Sequence, residues 1–384
     1  MPNSQNKKDI YKIVITGGPC AGKTTSLKII KEAFEKKGYW VLSVDETATQ
    51  LFTCGAELDR CKKKNKKEYQ YQLAKLMFAK EDAMYAIAQT LKRKKKILIV
   101  CDRGALDNQV YIKKKEFDDL LNALHTTEAK LLDRYHAVFH LVTAANGAEE
   151  HYGKQGNDKR RETAEEAIIL DSKLIEAWNG HPHIRIIDNK TDFDQKMRIL
   201  IHEIAYYLGE PKTVKTRKKY LIKMPDTEQF KKQHVYKTVE IEQTYLKTDI
   251  PDEIIRLRQR KFGSNYTYYK NTKRISDGKR TEEEARLTRK EYLKLRREQE
   301  DKQQYKRIKK QRYYLSENGL YYSIDIFDPN IFPEWKNQAL MEIEVYNAHI
   351  HNNDDVQIPE GIEVIENVSG KKEYTNPYIA RIKK

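Results

Sequence analysis

Apolar and polar positions in the first 210 residues alternate between short strand-like runs and longer helical patterns. Apolar or β-branched runs lie at 11–16, 39–44, 97–101, 136–142 and 184–188. Helical periodicity separates these runs, at 23–37, about 65–95, 117–134, 163–179 and 192–208. Because helical crossovers join parallel strands, this order predicts an α/β domain with a five-stranded parallel sheet and helices on both faces.

After Pro211 the pattern changes to an alternation with period two, which is typical of strands that have one apolar face. This alternation covers 237–246, 254–261, 309–315, 321–327 and 340–346. One helix is predicted to begin at Thr281, where Glu284 would complete a capping box. We therefore expect a polar tail at 1–9, one domain at 10–210 and a second, antiparallel β domain at 211–384.

The net charge of +16 is concentrated in one segment. Residues 211–314 hold 31 Lys and Arg against 15 Asp and Glu, whereas residues 1–210 hold 36 against 30 and residues 315–384 hold 6 against 12. An excess of this size in one segment predicts that the second domain binds an anion.

Several protein classes are disfavoured by the composition. The first ten residues are polar, and the purest apolar run, Ile97–Val100, is too short to cross a bilayer. The four cysteines form no CxxC pair and no disulfide-like framework. We expect a cytoplasmic protein without a transmembrane segment or a metal site built on cysteine.

The strongest motif is the stretch "GGPCAGKT", residues 17–24, which fits G-x-x-x-x-G-K-[ST] between a strand and a helix. Backbone N–H groups can wrap a polyphosphate only where no Cβ blocks their approach. Lys23 would reach the terminal phosphates, and Thr24 would offer its hydroxyl to Mg²⁺. The other residues expected to line the nucleotide are Gly17, Gly18, Ala21, Gly22 and Thr25.

Three charged residues at strand ends are the catalytic candidates. Asp102 would hold Mg²⁺ and Arg103 would meet a phosphate of a second ligand, although Asp102 could instead cap the next segment. Asp45 and Glu46 lie where small-molecule P-loop kinases keep the carboxylate that accepts a hydroxyl proton, and we favour Glu46. A structural acid at the end of a strand is the alternative.

Two later segments are candidates for contacts with the nucleotide. Arg160 and Arg161 could close over the γ-phosphate as a lid, or they could be solvated charges at a helix start. Asn189, Lys190 and Asp192 match the guanine-reading Asn-Lys-x-Asp pattern, but the Asp-x-x-Gly partner motif is missing. Asp192 could simply cap the closing helix.

The strands of the second domain carry charged side chains at alternate positions. A closed barrel with its polar face inward would gather both signs of charge into one cavity, whereas the simpler explanation is the wet face of a half-buried sheet. The acids are Glu240, Glu242, Glu342 and Glu344. The basic side chains expected to bind a polyanion are Arg256, Arg258, Arg260, Lys273, Lys310 and Arg312.

Both halves resemble known families. The first resembles AAA-like P-loop ATPases and kinases through "IVITGGPCAGKTT", "VDETAT", "DRG" and "RRETAEEAIILDSKLIEAWNGHPHIRIIDN". The second resembles the CYTH or triphosphate-tunnel fold, an α+β antiparallel barrel, through "VEIEQTYL", "IIRLRQR", "NTKR", "KKQRYYL" and "LMEIEVY". In this order the two resemble the TRPL translocation defect protein fourteen family.

That resemblance implies GTP as the nucleotide and an anionic phospholipid, such as phosphatidic acid, as the ligand of the second domain. Tunnel phosphatases begin with Glu-x-Glu-x-Lys, whereas the matching "KTRKK" places Lys215 and Arg217 at the acidic positions and Lys219 at the lysine position. Because this departure replaces two metal-binding carboxylates by cations, we expect the second domain to bind a polyanion rather than to cleave a triphosphate with a metal.

Three hypotheses follow. The first is a protein that binds GTP or ATP with Mg²⁺, hydrolyses it slowly, and binds a polyanion such as a phospholipid headgroup. The second is a small-molecule kinase with Glu46 as its base. The third is an adaptor that docks its basic domain on an acidic surface such as a microtubule, peripheral to a membrane or on the cytoskeleton or cilium. Nucleic acid is the weaker candidate because no nucleic-acid module is recognisable.

Overall fold

The computed structural model describes residues 10–382 except 58–59, 63–64, 92–95, 153–162, 209–215, 277–278, 318–319 and 346–356. The chain divides into two compact units, Met1–Val214 and Lys215–Lys384.

The first unit is an α/β domain around a parallel sheet in the order β2-β3-β1-β4-β5, which confirms the predicted five-stranded sheet. Its strands are β1 (Ile10–Thr16), β2 (Trp40–Val44), β3 (Ile97–Asp102), β4 (Ala137–Leu141) and β5 (Ile184–Ile187). Its helices are α1 (Lys23–Lys36), α2 (Thr47–Thr53), α3 (Lys66–Thr90), α4 (Lys114–Ala123), α5 (Glu128–Leu132), α6 (Ala164–Trp178) and α7 (Phe193–Tyr207).

The central strand β1 is buried on both faces, since Ile13, Val14 and Ile15 are fully enclosed. This burial is typical of a parallel sheet with helices on both sides. The helix predicted at 117–134 is in fact two helices, α4 and α5. The chain turns at His125, whose φ is 50°, and Thr127 then caps α5.

The second unit is an antiparallel β domain, as predicted, with nine strands in the order β10-β9-β8-β7-β11-β12-β13-β6-β14. The strands are β6 (Thr216–Lys223), β7 (Tyr236–Leu246), β8 (Glu253–Phe262), β9 (Asn265–Ser276), β10 (Lys279–Leu287), β11 (Ile308–Glu317), β12 (Leu320–Phe327), β13 (Gln338–Val345) and β14 (Val364–Asn367). Its helices are α8 (Thr227–Gln233), α9 (Arg289–Gln299) and α10 (Asn376–Ala380).

The helix predicted to begin at Thr281 begins eight residues later. Residues 281–287 belong to β10 and pair with β9, and α9 starts at Arg289. The sequence T-x-x-E occurs twice in this stretch, and the second copy, from Thr288 to Glu291, forms the capping box. Tertiary strand pairing therefore outweighs the local helix signal at the first copy.

Across the residues that the structure describes, none of the helices combines the length and the apolar character needed to cross a membrane.

Candidate functional site

The glycine-rich loop between β1 and α1 requires glycine at two positions. Gly17 has a φ of 143° and Gly22 a φ of 86°, and L-residues rarely adopt either value. A Cβ on Gly17 would lie 2.1 Å from the carbonyl oxygen of Leu141, and a Cβ on Gly22 would lie 2.6 Å from Cε2 of Phe193. The loop therefore lies too close to its neighbours for any larger residue at these two positions.

Lys23 places its ammonium inside this loop. Its Nζ donates hydrogen bonds to the carbonyl oxygens of Gly17 at 2.9 Å and Gly18 at 2.8 Å. Burial, followed by the nearby charge of Arg103, lowers the pKa of Lys23 to about 8 against the opposing effect of nearby carboxylates. Phosphate oxygens would offer this ammonium charged acceptors, which form stronger hydrogen bonds than neutral carbonyls do.

Asp102 lies beside the loop because β3 pairs with β1, in a register that sets Asp102 opposite Ile15. The hydroxyl of Thr24 is 3.5 Å from its Oδ2, and its Oδ1 is buried without a hydrogen-bond partner. Burial, followed by the neighbouring Glu46, raises the pKa of Asp102 to about 6. The next helical turn takes its capping carboxylate from Asp107 instead, so Asp102 is not a helix cap here.

These features fit a divalent cation. An orphaned carboxylate oxygen with a raised pKa gains most from a positive charge nearby. Thr24 and Asp102 would supply two ligands, and Mg²⁺ bound with a nucleotide usually takes the others from phosphates and water. No cluster of three or more His, Cys, Asp or Glu side chains suited to a metal occurs among the described residues.

Glu46 and Arg103 form a close ion pair at the ends of β2 and β3. Arg103 has a φ of 67°, and its guanidinium lies 6.0 Å from the centre of the Tyr111 ring. Burial would raise the pKa of Glu46, but Arg103, the Thr49 hydroxyl and Lys23 together hold it below its usual value. Asp45, in contrast, is exposed. The structure thus brings Glu46, Asp102 and Arg103 together around Lys23.

Asp171 of α6 is a loop contact that the sequence analysis missed. Its Oδ1 accepts hydrogen bonds from the backbone N–H of Gly18 at 2.6 Å and Thr143 at 3.3 Å, and it lies 3.0 Å from Nε2 of His140. Burial alone would raise the pKa of Asp171, but His140 and the two N–H groups hold it below its usual value. The sequence signal that could have revealed this contact is an acid on the otherwise apolar side of α6. The other buried residues of that helix are Ala167, Leu174, Ala177 and Trp178.

Lys196 of α7 is a second missed contact. Its buried Nζ donates to Oδ1 of Asn189 at 2.6 Å and to the carbonyl oxygen of Val142 at 2.8 Å, and it lies 3.4 Å from that of Ala21. The Asn189 Nδ2 in turn donates to the carbonyl oxygens of Thr143 and Asn146, both at 2.7 Å. The Asn189 amide thus links Lys196 to the segment that follows β4.

The other proposed base-reading residues have different surroundings. Asp192 caps α7, since its Oδ1 accepts from the N–H of Gln195 at 2.8 Å. The exposed Lys190 lies 3.7 Å from Asp188, and Thr25 is exposed in the first turn of α1. Arg160 and Arg161 fall in 153–162 and lie outside the described residues.

The second unit gathers the predicted polyanion-binding residues on one face of its sheet, called here the basic face. Side chains of directly paired residues point to the same face. In β7 and β8, Gln243 pairs with Arg258 and Tyr245 with Arg256, and in β8 and β9 Ile254 pairs with Lys273. The same register rule adds the remaining predicted members of this face, namely Lys219, Arg260, Lys310 and Arg312.

Acidic side chains on the same face pair with several of these cations. Asp325 accepts from Lys310 at 2.7 Å and binds Arg312 through two contacts of 2.6 Å. Burial lowers the pKa of Lys310 to about 8 even though Asp325 opposes the shift.

Two further ion pairs lie on the basic face. Glu284 accepts from Arg258 at 2.7 Å, and Glu342 lies 2.7 Å from Lys219. The basic face is therefore a network of ion pairs.

Two of the predicted acids lie on the opposite face. Glu240 pairs in register with Lys261 and Glu242 with Gln259, whereas Arg260 is opposite Ile241 between them. Glu240 forms an ion pair with Lys261, and Glu242 forms one with Arg296 of α9. The expectation that both glutamates converge with the arginines in one cavity is wrong, because alternation alone does not say which way two neighbouring strands face each other.

Comparison with known proteins finds a similarity within the first unit. Residues 12–196 match the family model of an AAA domain. The matched residues lie in the first unit, which also carries the glycine-rich loop between β1 and α1. None of the curated proteins matches the chain.

Solved structures resemble part of the chain. Two crystal structures of NE1496, one described as an inorganic triphosphatase and the other as a hypothetical protein, are 22% and 24% identical. Both cover 44% of this chain, and 95% and 97% of their own, with a TM-score of 0.32. PH1819 from Pyrococcus horikoshii OT3 is 15% identical, covers 35% of this chain and 80% of its own, and gives a TM-score of 0.26.

The buried Lys196 ammonium should make unfolding depend on pH. Burial lowers the pKa of Lys196 from 10.5 to about 8, although Asp171 and Asp188 act against the shift. Between these two values the unfolded chain holds the proton more tightly, so the free energy of unfolding should rise with pH, by roughly 3 kcal/mol at most. Urea denaturation at several pH values, followed by tryptophan fluorescence, should show a steeper rise in the wild type than in Lys196→Met.

Lys190→Met is the matched control, because the Lys190 side chain is 68% exposed. Its profile should follow that of the wild type. Identical profiles for all three proteins would contradict the assignment of a buried, charged Lys196 at neutral pH.

Proposed function

We propose that the first unit binds GTP or ATP together with Mg²⁺ and hydrolyses it slowly, and that the basic face of the second unit binds a polyanion without cleaving it. The observation that carries the proposal is the buried ammonium of Lys23 inside a glycine loop, beside the orphaned carboxylate oxygen of Asp102.

The phosphate site is supported by three features that act on the same charge. The loop leads into the amino end of α1, where unpaired N–H groups and the helix dipole favour an anion. Lys23 supplies a full positive charge at the centre of the loop. A polyphosphate would therefore replace the carbonyl partners of Lys23 and offset the cost of burying its charge.

Slow turnover is proposed because both carboxylates near Lys23, Asp102 and Glu46, already have another role. Asp102 would hold the metal with Thr24, and this metal would neutralise the phosphate charge that develops during transfer. Glu46 is paired with Arg103 and is held ionised by it. While Glu46 is engaged in this pair, it is not available to orient an attacking water.

Binding without cleavage is proposed for the second unit because the acids of its basic face form ion pairs with Lys and Arg side chains. Among the basic-face residues that the structure describes, Glu284, Asp325 and Glu342 each contact a Lys or Arg. Lys215 and Arg217 stand where a tunnel phosphatase would have metal-binding glutamates. A basic face with paired acids favours an anionic ligand over a metal ion.

The identity of the polyanion rests on resemblance. The order of the two domains resembles the TRPL translocation defect protein fourteen family, which suggests a phospholipid headgroup such as that of phosphatidic acid. Docking of the same face on a membrane surface or on a microtubule is the related adaptor role. Binding of a phospholipid headgroup and docking on a charged surface would both weaken steeply as the salt concentration rises.

Lys23→Ala should abolish nucleotide binding. Removing the central ammonium leaves the phosphates without their charged donor, and we expect at least a roughly hundredfold loss of affinity. Calorimetric titration with GTP and with ATP, with Mg²⁺ and again with EDTA, measures the effect. The exposed Lys28 of α1 provides the control Lys28→Ala, which should bind like the wild type. Equal binding by Lys23→Ala and the wild type would refute the phosphate site.

Neutralising the basic face should weaken binding to anionic vesicles. We expect the double variant Arg256→Gln, Arg258→Gln to bind phosphatidic acid vesicles roughly tenfold or more weakly, since charge-assisted contacts are lost. Vesicle sedimentation at two salt concentrations measures this, with phosphatidylcholine vesicles and soluble glycerol phosphate as separate arms. Arg297→Gln is the control, because Arg297 is 80% exposed on α9. Unchanged binding by the double variant would exclude the basic face.

A small-molecule kinase is the second candidate function, and the position of Glu46 and Arg103 beside Lys23 favours it. Glu46 would accept the proton of a substrate hydroxyl, and Arg103 would hold a charged group of the same substrate. Labelled ATP should then be consumed only in the presence of a suitable hydroxyl compound, and Glu46→Gln should lower that turnover by 10²-fold or more, roughly the contribution of a general base. If no hydroxyl compound in a metabolite screen raises the ATP turnover of the wild type above that of Glu46→Gln, the kinase hypothesis is contradicted.

A further inference from the structure

An aromatic ring lies directly against the phosphate loop. Phe193 is the first residue of α7, and its Cε2 stands 2.6 Å from the position that a Cβ on Gly22 would occupy. The residue is nevertheless 40% exposed. One part of the ring therefore covers the loop glycine while another part is open to solvent.

The ring is held in this place from two directions. Asp192 caps the helix immediately before it, and Lys196, one turn later, contacts the loop through the carbonyl oxygen of Ala21. Within the described part of the chain, no other aromatic ring stacks on Phe193. The exposed part of Phe193 is thus an apolar surface beside the proposed phosphate site.

The two sides of the loop differ in character. On the side of β3 lie the charged groups of Glu46, Asp102 and Arg103, which suit a metal and transferable phosphate. On the side of β5 and α7 lies the ring of Phe193. The nucleoside of a bound nucleotide must extend from the phosphate loop towards one of these two sides. Its uncharged base is better accommodated beside the apolar ring of Phe193 than beside the charged groups.

We propose that the nucleobase stacks on Phe193 and that this subsite accepts adenine and guanine with similar affinity. The inference rests on the proposed nucleotide-binding function. Stacking tolerates either purine because each has a π-face.

The residues that could read the edge of a base already have structural roles. The Asn189 amide uses both its oxygen and its nitrogen on protein groups, and Asp192 uses Oδ1 to cap α7. The base is therefore held by its face rather than identified by its edge.

The test compares ligands with and without a base. Wild type, Phe193→Ala and Phe193→Trp are titrated with ATP, GTP and inorganic tripolyphosphate, each with Mg²⁺. We expect Phe193→Ala to weaken ATP and GTP roughly ten- to a hundredfold and to leave tripolyphosphate unchanged. Phe193→Trp should retain the wild-type affinities because it preserves a stacking surface.

The outcomes separate the inference from the proposed function. Unchanged ATP and GTP binding by Phe193→Ala, or an equal loss for tripolyphosphate, would overturn stacking while leaving nucleotide binding intact. Failure of the wild type to bind any of the three ligands would overturn both. If Phe193→Ala does not fold, the substitution Phe193→Leu, which keeps an uncharged apolar side chain over Gly22 without a π-face, takes its place.

Asp192→Asn tests the tolerance for both purines. Asparagine caps helices as well as aspartate does, so the fold should be kept while the carboxylate is removed. We expect the ratio of GTP to ATP affinity to stay within about twofold of the wild-type ratio, as stacking alone would leave it. A selective loss of GTP binding would show that Asp192 reads guanine and would overturn this part of the inference.

Discussion

The geometry of the candidate site depends on one buried carboxylate. Asp171 reaches from α6 to the backbone of the loop at Gly18 and to the end of β4 at Thr143, with His140 behind it. A single side chain thus ties a helix, a strand and the phosphate loop together. Because an unpaired buried charge is costly, each of these three partners is constrained to stay in place.

The second unit follows a different rule, since its charges are neutralised by one another. Several cations of the basic face meet an acid on another strand, as Arg312 meets Asp325 and Lys219 meets Glu342. The face can therefore be polar and partly buried in the same domain as an apolar core on its other side, where Tyr322 and Ile324 pack. The excess of positive charge in the sequence is partly compensated at short range.

Much of the fold could be predicted from the sequence, because strand and helix periods are local properties. The five parallel strands and the phosphate loop needed only the pattern of apolar residues and the glycine spacing. The start of α9 could not be predicted, since T-x-x-E occurs twice and strand pairing with β9 decides between the copies. The predicted face of Glu240 and Glu242 was wrong for a related reason. Register is set by the pairing of two strands, and the pattern within one strand does not reveal it.

The site itself was predictable only in part. Gly17, Lys23 and Asp102 are recognisable because a phosphate loop has a fixed spacing and a neighbouring strand end. Asp171 and Lys196 are distant in sequence from the loop, and their roles exist only once α6 and α7 pack on the sheet.

The salt bridges of the basic face would also set a threshold for the polyanion that we propose binds there. An incoming anion must compete with a carboxylate such as Asp325, which already holds Lys310 and the fork of Arg312. A singly charged species cannot replace two such contacts at once, whereas a group bearing several negative oxygens can engage neighbouring cations together. On the proposal that a polyanion binds this face, the internal pairs would favour a ligand of high charge density over a monovalent anion.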